Sequence, residues 1–263
     1  MASVTSSDIV VYGSGTMPEA DTGTSGGAIN LATKILVKDI GATDTVEIFS
    51  SSAADTSLSV VVTGRLASGI IDTDTIVTDA SDGTTVVDGV KNFERILKVV
   101  FPAHAGTITV RRDADADGYD IATAEGSGTT VTGTTVTLVH RLFYKATANA
   151  SGDANKVLYE KAFIRNNNST NALLDATVTA SSTALLAFDL EDAVDDNGSV
   201  SNRVTVVGSG TVGSPTWADT EVAVPGTDLD AGSAIGVWVQ LTLDNGEAAA
   251  ETSYTLTTAG STT

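Results

Sequence analysis

The chain of 263 residues contains no cysteine. Disulfides, thiolate metal ligands and cysteine nucleophiles are therefore excluded outright. Histidine is almost as scarce: His104 and His140 alone could serve as a neutral-pH base or an imidazole ligand. Aromatic residues make up 5% of the chain and are scattered, which leaves little from which to build a platform of neighbouring rings. Basic residues number 14 against 33 acidic ones, a net charge of -19. So negative a surface repels nucleic-acid phosphates and anionic lipid headgroups, and neither nucleic acid nor membrane is expected as a partner. No apolar run approaches the roughly 20 residues that cross a bilayer as a helix. The opening MASVTSSDIVVYGSG has neither the basic nor the apolar stretch of a secretory signal, so the expectation is a chain that folds in a cytoplasm.

What is present is mostly strand and turn. Of the acids, 24 are aspartate and 9 glutamate, and aspartate is the one that bonds its own backbone in turns. Short segments rich in Val, Ile and Thr recur about every ten residues between Gly, Asp, Ser and Asn, the pattern of β-sandwiches. In IGVWVQLTL, Ile235, Val237, Val239, Leu241 and Leu243 share one face, with Trp238, Gln240 and Thr242 on the other. Two stretches have near-helical spacing, Val90, Phe93, Leu97 and Val100, then Leu186, Leu190 and Val194. The surrounding pattern favours strands there, with at most a short helical turn. The expected fold is all-β, with two antiparallel sandwich domains. GSGTMPEADTGTSGG has no apolar period, so residues 1–30 read as a flexible or extended arm. The small, polar ATANASGDANK divides the remainder into 31–148 and 149–263.

Several motifs invite chemistry. In RRDADADGYD, Asp113, Asp115, Asp117 and Gly118 match the first positions of a calcium-binding EF-hand loop. The twelfth position is Ala124, with Glu125 one residue too far, and no flanking helix is expected. Asp-Gly between two strand patterns is a hairpin turn signal. The ordinary reading is a turn, and a surface Ca2+ site on Asp113, Asp115 and Asp117 is its alternative. GTSGG fits G-x-S-x-G with Ser25 as nucleophile, yet it lacks the strand, the helix and the base that such an elbow needs. His140, in TLVHRLFY, reads as a partly covered strand residue, and His104, in FPAHAG, as a turn residue. Asp72 and Asp74 share a strand face and resemble paired catalytic carboxylates, but in a chain with surplus acid the ordinary reading is charge on the wet face of an edge strand. Asn149, Asn167, Asn168 and Asn197 occupy N-x-S/T sequons, which need a secretory route to be used. Trp217 falls in a loop, and Trp238, opposite the aliphatic set of its strand, could meet a neighbouring domain or subunit. No catalytic residue and no cofactor is assigned.

Two stretches resemble virion proteins of tailed bacteriophages. DTVEIFSSSAADTSLSVVVTGRLASGIIDTDTIV, VKNFERILKVVF and GTITVRR, within Asp44 to Arg112, resemble the V-T-G-x-x-A-x-G β-sandwich modules of phage head and tail proteins. YEKAFIRNNNSTNALLDATVTAS and LDAGSAIGVWVQLTL are similar to immunoglobulin-like modules from the same setting. The resemblance implies a structural protein, not an enzyme, on the virion surface: a head decoration (cement) protein whose partners are the major capsid protein and copies of itself, often as a trimer. A tail or neck protein, or an adhesion module that grips a host glycan through Trp217, are the alternatives.

Overall fold

The computed structural model describes residues 3–18, 21–35, 40–113, 120–125, 136–139, 142–143, 149–181, 185–205, 207, 215–217, 220–247 and 254–262. Among these the regular structure is strand, apart from one 3-10 turn at Ser6–Asp8. No helix among them is long and apolar enough to cross a membrane. The strands, in chain order, are β1 (Ile9–Thr16), β2 (Ser25–Lys34), β3 (Val46–Ser50), β4 (Ser59–Leu66), β5 (Ile71–Val77) and β6 (Val87–Asp88). They continue with β7 (Phe93–Phe101), β8 (Thr107–Arg112), β9 (Asp120–Glu125), β10 (Val136–Val139), β11 (Lys156–Asn166) and β12 (Leu174–Ala180). The last are β13 (Leu186–Val194), β14 (Ser199–Val200), β15 (Val222–Ala223), β16 (Ala234–Leu243) and β17 (Leu256–Ser261).

The chain divides into two compact units, Met1–Leu31 with Leu142–Thr263, and Ala32–Arg141. In the first unit the strand order is β13-β16-β11-β1-β2, with β14 on β2, and a second sheet runs β15-β12-β17. Strand β16 sits between two antiparallel partners over most of its length, and it is buried on both faces because one apolar cluster packs on its aliphatic side and another around Trp238 on the opposite side. The expected alternation holds: Ile235, Val237, Val239, Leu241 and Leu243 enter one apolar cluster with Leu158, Phe188, Ala176 and Val178. Because Ala176 and Val178 belong to β12, both sheets of the unit contribute to that core.

The second unit has the orders β10-β7-β4-β5 and β6-β3-β8-β9. Here too one cluster draws on both sheets, with Val60, Val62, Ile96, Val99 and Phe101 beside Val46, Ile48, Ile108 and Val110. The near-helical spacing around Phe93 belongs to a strand whose pairing with β4 slips in register at Thr63/Gly64 and at Arg65/Leu66. A bulge changes which face each residue occupies, so Phe93 and Ile96, three apart, are both fully buried. Gly64 makes this possible, since a Cβ there would lie 2.4 Å from the Phe93 ring. The second helical candidate is also a strand, β13.

Within residues 1–30, expected as an arm, the described residues include two paired strands. Strand β1 pairs antiparallel with β11 from Ile9↔Asn166 to Gly13↔Ala162, and β2 receives β14 at Ser199↔Gly26 and Val200↔Ser25. Glycine and serine supply no apolar period of their own, but their backbone groups find partners 149 to 175 residues further along the chain. The expected divisions 31–148 and 149–263 become Ala32–Arg141 and Leu142–Thr263, the latter joined by Met1–Leu31.

Candidate functional site

Among the described residues, those singled out from sequence do not converge. Asp113 follows β8 in a turn, is exposed, and accepts the Thr45 hydroxyl at 2.6 Å. Its neighbours are Glu47 and Asp88, with one carboxylate oxygen of each of the three lying within 4.8 Å of the others. Arg111 already neutralises Glu47. Asp115 and Asp117 lie outside the described residues, as does His140. The stretch containing them connects β8 to β9, which pair antiparallel, and Ala124 lies within β9.

Ser25 opens β2 and is fully buried, and its hydroxyl has no hydrogen-bond partner among the described residues. A strand rather than a helix follows it. His104 is not an open turn residue: it is buried, with Nδ1 2.6 Å from the Pro102 carbonyl oxygen and Nε2 2.9 Å from that of Ala124. Asp74 also departs from expectation. Its strand is at the edge of its sheet, yet Asp74 is buried, and Oδ2 accepts the backbone N–H groups of Val90 and Lys91 at 2.7 and 3.0 Å. The segment after β6 covers that face, so the carboxylate works as a backbone cap. Asp72 pairs with Lys91 Nζ at 2.7 Å near the surface.

Trp217 leans on Tyr159, with ring centroids 5.3 Å apart. Asn149 is buried, and its amide donates to the carbonyls of Ala154, Leu243 and Asp244. Asn168 Oδ1 accepts the N–H groups of Thr170 and Asn171. Trp238 does face away from the aliphatic set, but it is fully buried within its own unit, packed with Tyr159, Val200 and Val207.

The polar constellation that the structure does assemble was not nominated by the sequence. It is a set of charged side chains on the sheet of the first unit. Period two along β11 puts Glu160 on one face with Leu158 and Ile164, and Lys161 on the other with Tyr159 and Phe163. Glu160 is 2% exposed and Arg203 1%. Glu160 Oε1 accepts Arg203 Nη1 at 2.9 Å, and Oε2 accepts the Phe143 N–H at 2.7 Å. Arg203 reaches onward to Asp21, with Nε at 3.0 Å and Nη2 at 2.9 Å, and Lys156 closes the chain of charges on Asp21. Burial pushes the Glu160 carboxyl up to about 7, against the pull of the Phe143 N–H and Arg203.

On the other face lies a second pair. Lys161 and Glu191 are both fully buried, with Nζ 2.5 Å from Oε1. They come from the two strands that flank β16, and they meet above Gly236, where a Cβ would lie 2.5 Å from Glu191 Cγ and 2.6 Å from Lys161 Cε. Glycine inside a strand commonly marks such a close approach. Trp238 Nε1 donates to the same Oε1 at 2.8 Å, while Glu191 Oε2 has no partner among the described residues. The Lys161 amine is also 3.2 Å from the carbonyl oxygens of Asp196 and Gly198, and 4.7 Å above the Phe163 ring. Burial drives the Lys161 amine down and the Glu191 carboxyl up, each against the pull of its partner.

Pairs of this kind are weak contributors to stability. Removing two charges from water costs several kcal/mol per ion, which their attraction repays only with good geometry. Their locations fit a role in holding particular strands in register. The signal that could have exposed them was a charged residue at a strand position flanked by apolar residues on the same face, as Glu160 is. No family model, no curated protein and no solved structure matches the chain.

Proposed function

We propose that the chain is a structural virion component of a tailed bacteriophage, a head decoration protein built from antiparallel β-sandwich modules. In this reading the unit Met1–Leu31 with Leu142–Thr263 is the immunoglobulin-like one. The observation that carries it is the placement of the two resembling stretches. Asp44 to Arg112 falls wholly inside one compact unit and spans β3 to β8, and Tyr159 to Ser181 with Leu229 to Leu243 falls wholly inside the other. Each unit has its own apolar core, as a self-standing module needs.

The converging charges of the first unit bind each other, which favours action through outer surfaces. A docking edge is available on the second unit. Strand β5 ends its sheet, and four large apolar side chains on or beside β5 and β6 face outward: Ile70, Val77, Val86 and Val90, at 62%, 44%, 42% and 77% exposure. An edge with unpaired backbone groups and apolar neighbours is suited to strand addition by a partner. That partner is the major capsid protein on the assembled lattice, with copies of this chain bridging adjacent capsomers as trimers.

Cosedimentation with purified heads tests the proposal. The unmodified chain should pellet with heads, and the double variant I70D/V90D should stay in the supernatant while melting at an unchanged temperature. Failure of the unmodified chain to pellet with heads, or its labelling on tails alone, would remove the head assignment.

A further inference from the structure

From the placement of Lys161 and Glu191 we infer an intramolecular amide bond, Lys161 Nζ to Glu191 Cδ, that covalently ties β11 to β13 across β16. This inference stands apart from the virion reading and survives its failure.

Three features of the site support the bond. Nucleophile and carboxyl are held together at 2.5 Å with no exposed surface on either side chain, so reactants are pre-positioned and water is excluded. Gly236 is the residue over which the two stems cross, and any side chain there would separate them. The two carboxyl oxygens also differ in the way a condensation requires. Oε1 accepts Trp238 Nε1 at 2.8 Å, a donor positioned for the negative charge that builds on that oxygen during addition. Oε2 is buried with no partner among the described residues, and it is the atom that departs. A carboxylate oxygen left without a partner in a dry interior is costly, and its loss as water removes that cost.

The chemistry balances without a co-reactant. Proton transfer from the Lys161 ammonium to Glu191 Oε2 gives a neutral amine and a neutral acid. Nζ attacks Cδ, the Cδ–Oε2 bond breaks, and Oε2 leaves as water carrying its own proton and one from Nζ. The amide nitrogen keeps one hydrogen, and the carbonyls of Asp196 and Gly198, each 3.2 Å from Nζ, are placed to accept it. Burial favours the neutral amine and the neutral acid, the forms that react.

Intact-mass spectrometry of the purified, denatured protein reads the bond directly. After incubation of the folded chain, the unmodified protein should be lighter than its sequence by one water, about 18 Da. Digestion should yield a branched peptide joining the β11 and β13 segments. Lys161→Arg and Glu191→Ala should each restore the full sequence mass, whether or not they fold, because mass is read on the denatured chain. Trp238→Phe, which keeps the ring and removes the N–H, should form the bond at least tenfold more slowly. A full sequence mass in the unmodified protein overturns the inference. So does a loss of water that persists in Lys161→Arg, which would place the dehydration elsewhere, for example at an Asp-Gly step.

Discussion

Two carboxylates, one in each compact unit, are both closed to solvent, and their pKa values shift in opposite directions. Asp55, in the second unit, is fully buried and accepts the Ser50 hydroxyl at 2.6 Å, the Ala105 N–H at 2.6 Å and the Gly106 N–H at 2.8 Å. Burial alone would raise it, but these donors together with His104 hold it below the ordinary carboxylate value. Glu160, in the first unit, has one backbone N–H and one guanidinium, and burial prevails. Glu160 lies deeper in the protein than Asp55 and has fewer donors, so the sign follows from the balance of burial against the donors present. Donors from the end of β3 and from the segment before β8 surround Asp55, whereas Glu160 sits at the inner end of a chain of charges whose outer members, Asp21 and Lys156, are in part solvated.

The comparison can be broken most forcefully at Arg203. Arg203→Met leaves Glu160 without its cation in a dry site, and loss of one partner of a buried pair typically costs about 3 to 5 kcal/mol. Because Glu160 can take up a proton instead, the loss in melting temperature should be larger at pH 8 than at pH 5.5. Equal losses at the two pH values would mean that Glu160 does not titrate as described.

Next in size is Asp55→Ala, which strands two backbone N–H groups and a hydroxyl and should cost on the order of 3 kcal/mol. Urea unfolding of the full chain measures it.

The pH dependence sharpens the contrast further. The folded value of Glu160 lies above its unfolded value of about 4.3. Its favourable contribution is therefore complete below about pH 4 and is lost as pH rises toward about 7. Asp55 has a depressed folded value, so its contribution is complete above about pH 4 and is lost as pH falls through the folded value. Hydrogen exchange resolved by segment should show β11 protection falling between pH 4.5 and 7.5, with protection at Ala105 and Gly106 unchanged. Glu160→Gln should flatten the first trend.

The smallest effect belongs to the surface. Lys91→Ala removes the ion pair with Asp72, in which both side chains are more than a third exposed. It should leave the urea midpoint almost unchanged, and still less altered in high salt.

What the sequence disclosed followed from local periodicity. Strand β16 was legible because its alternating aliphatic residues match a pleat with one aliphatic face. The strand at Phe93 was blurred because a bulge against β4 mimics helical spacing. Residues 1–30 read as an arm because β1 and β2 lack an apolar period, and their pairing with the distant β11 and β14 is not a local signal. The charged site was hidden for a related reason. Glu160 and Lys161 are adjacent in sequence and look like a solvated pair, whereas their true partners are Arg203 and Glu191, brought in by strand order. The metal-like spacing at Asp113 was the loudest local signal, and of its proposed ligands Asp113 is the one whose surroundings are defined.

The claim on which the functional account rests is that this chain acts by adhering to a lattice through its outer surface. Calorimetry of phage heads prepared with and without the protein tests it most directly. A ligand that binds only the assembled shell raises the shell's melting temperature, so decorated heads should melt higher, and I70D/V90D should abolish the gain. Identical melting of the two preparations, with no protein retained on the heads, would contradict it.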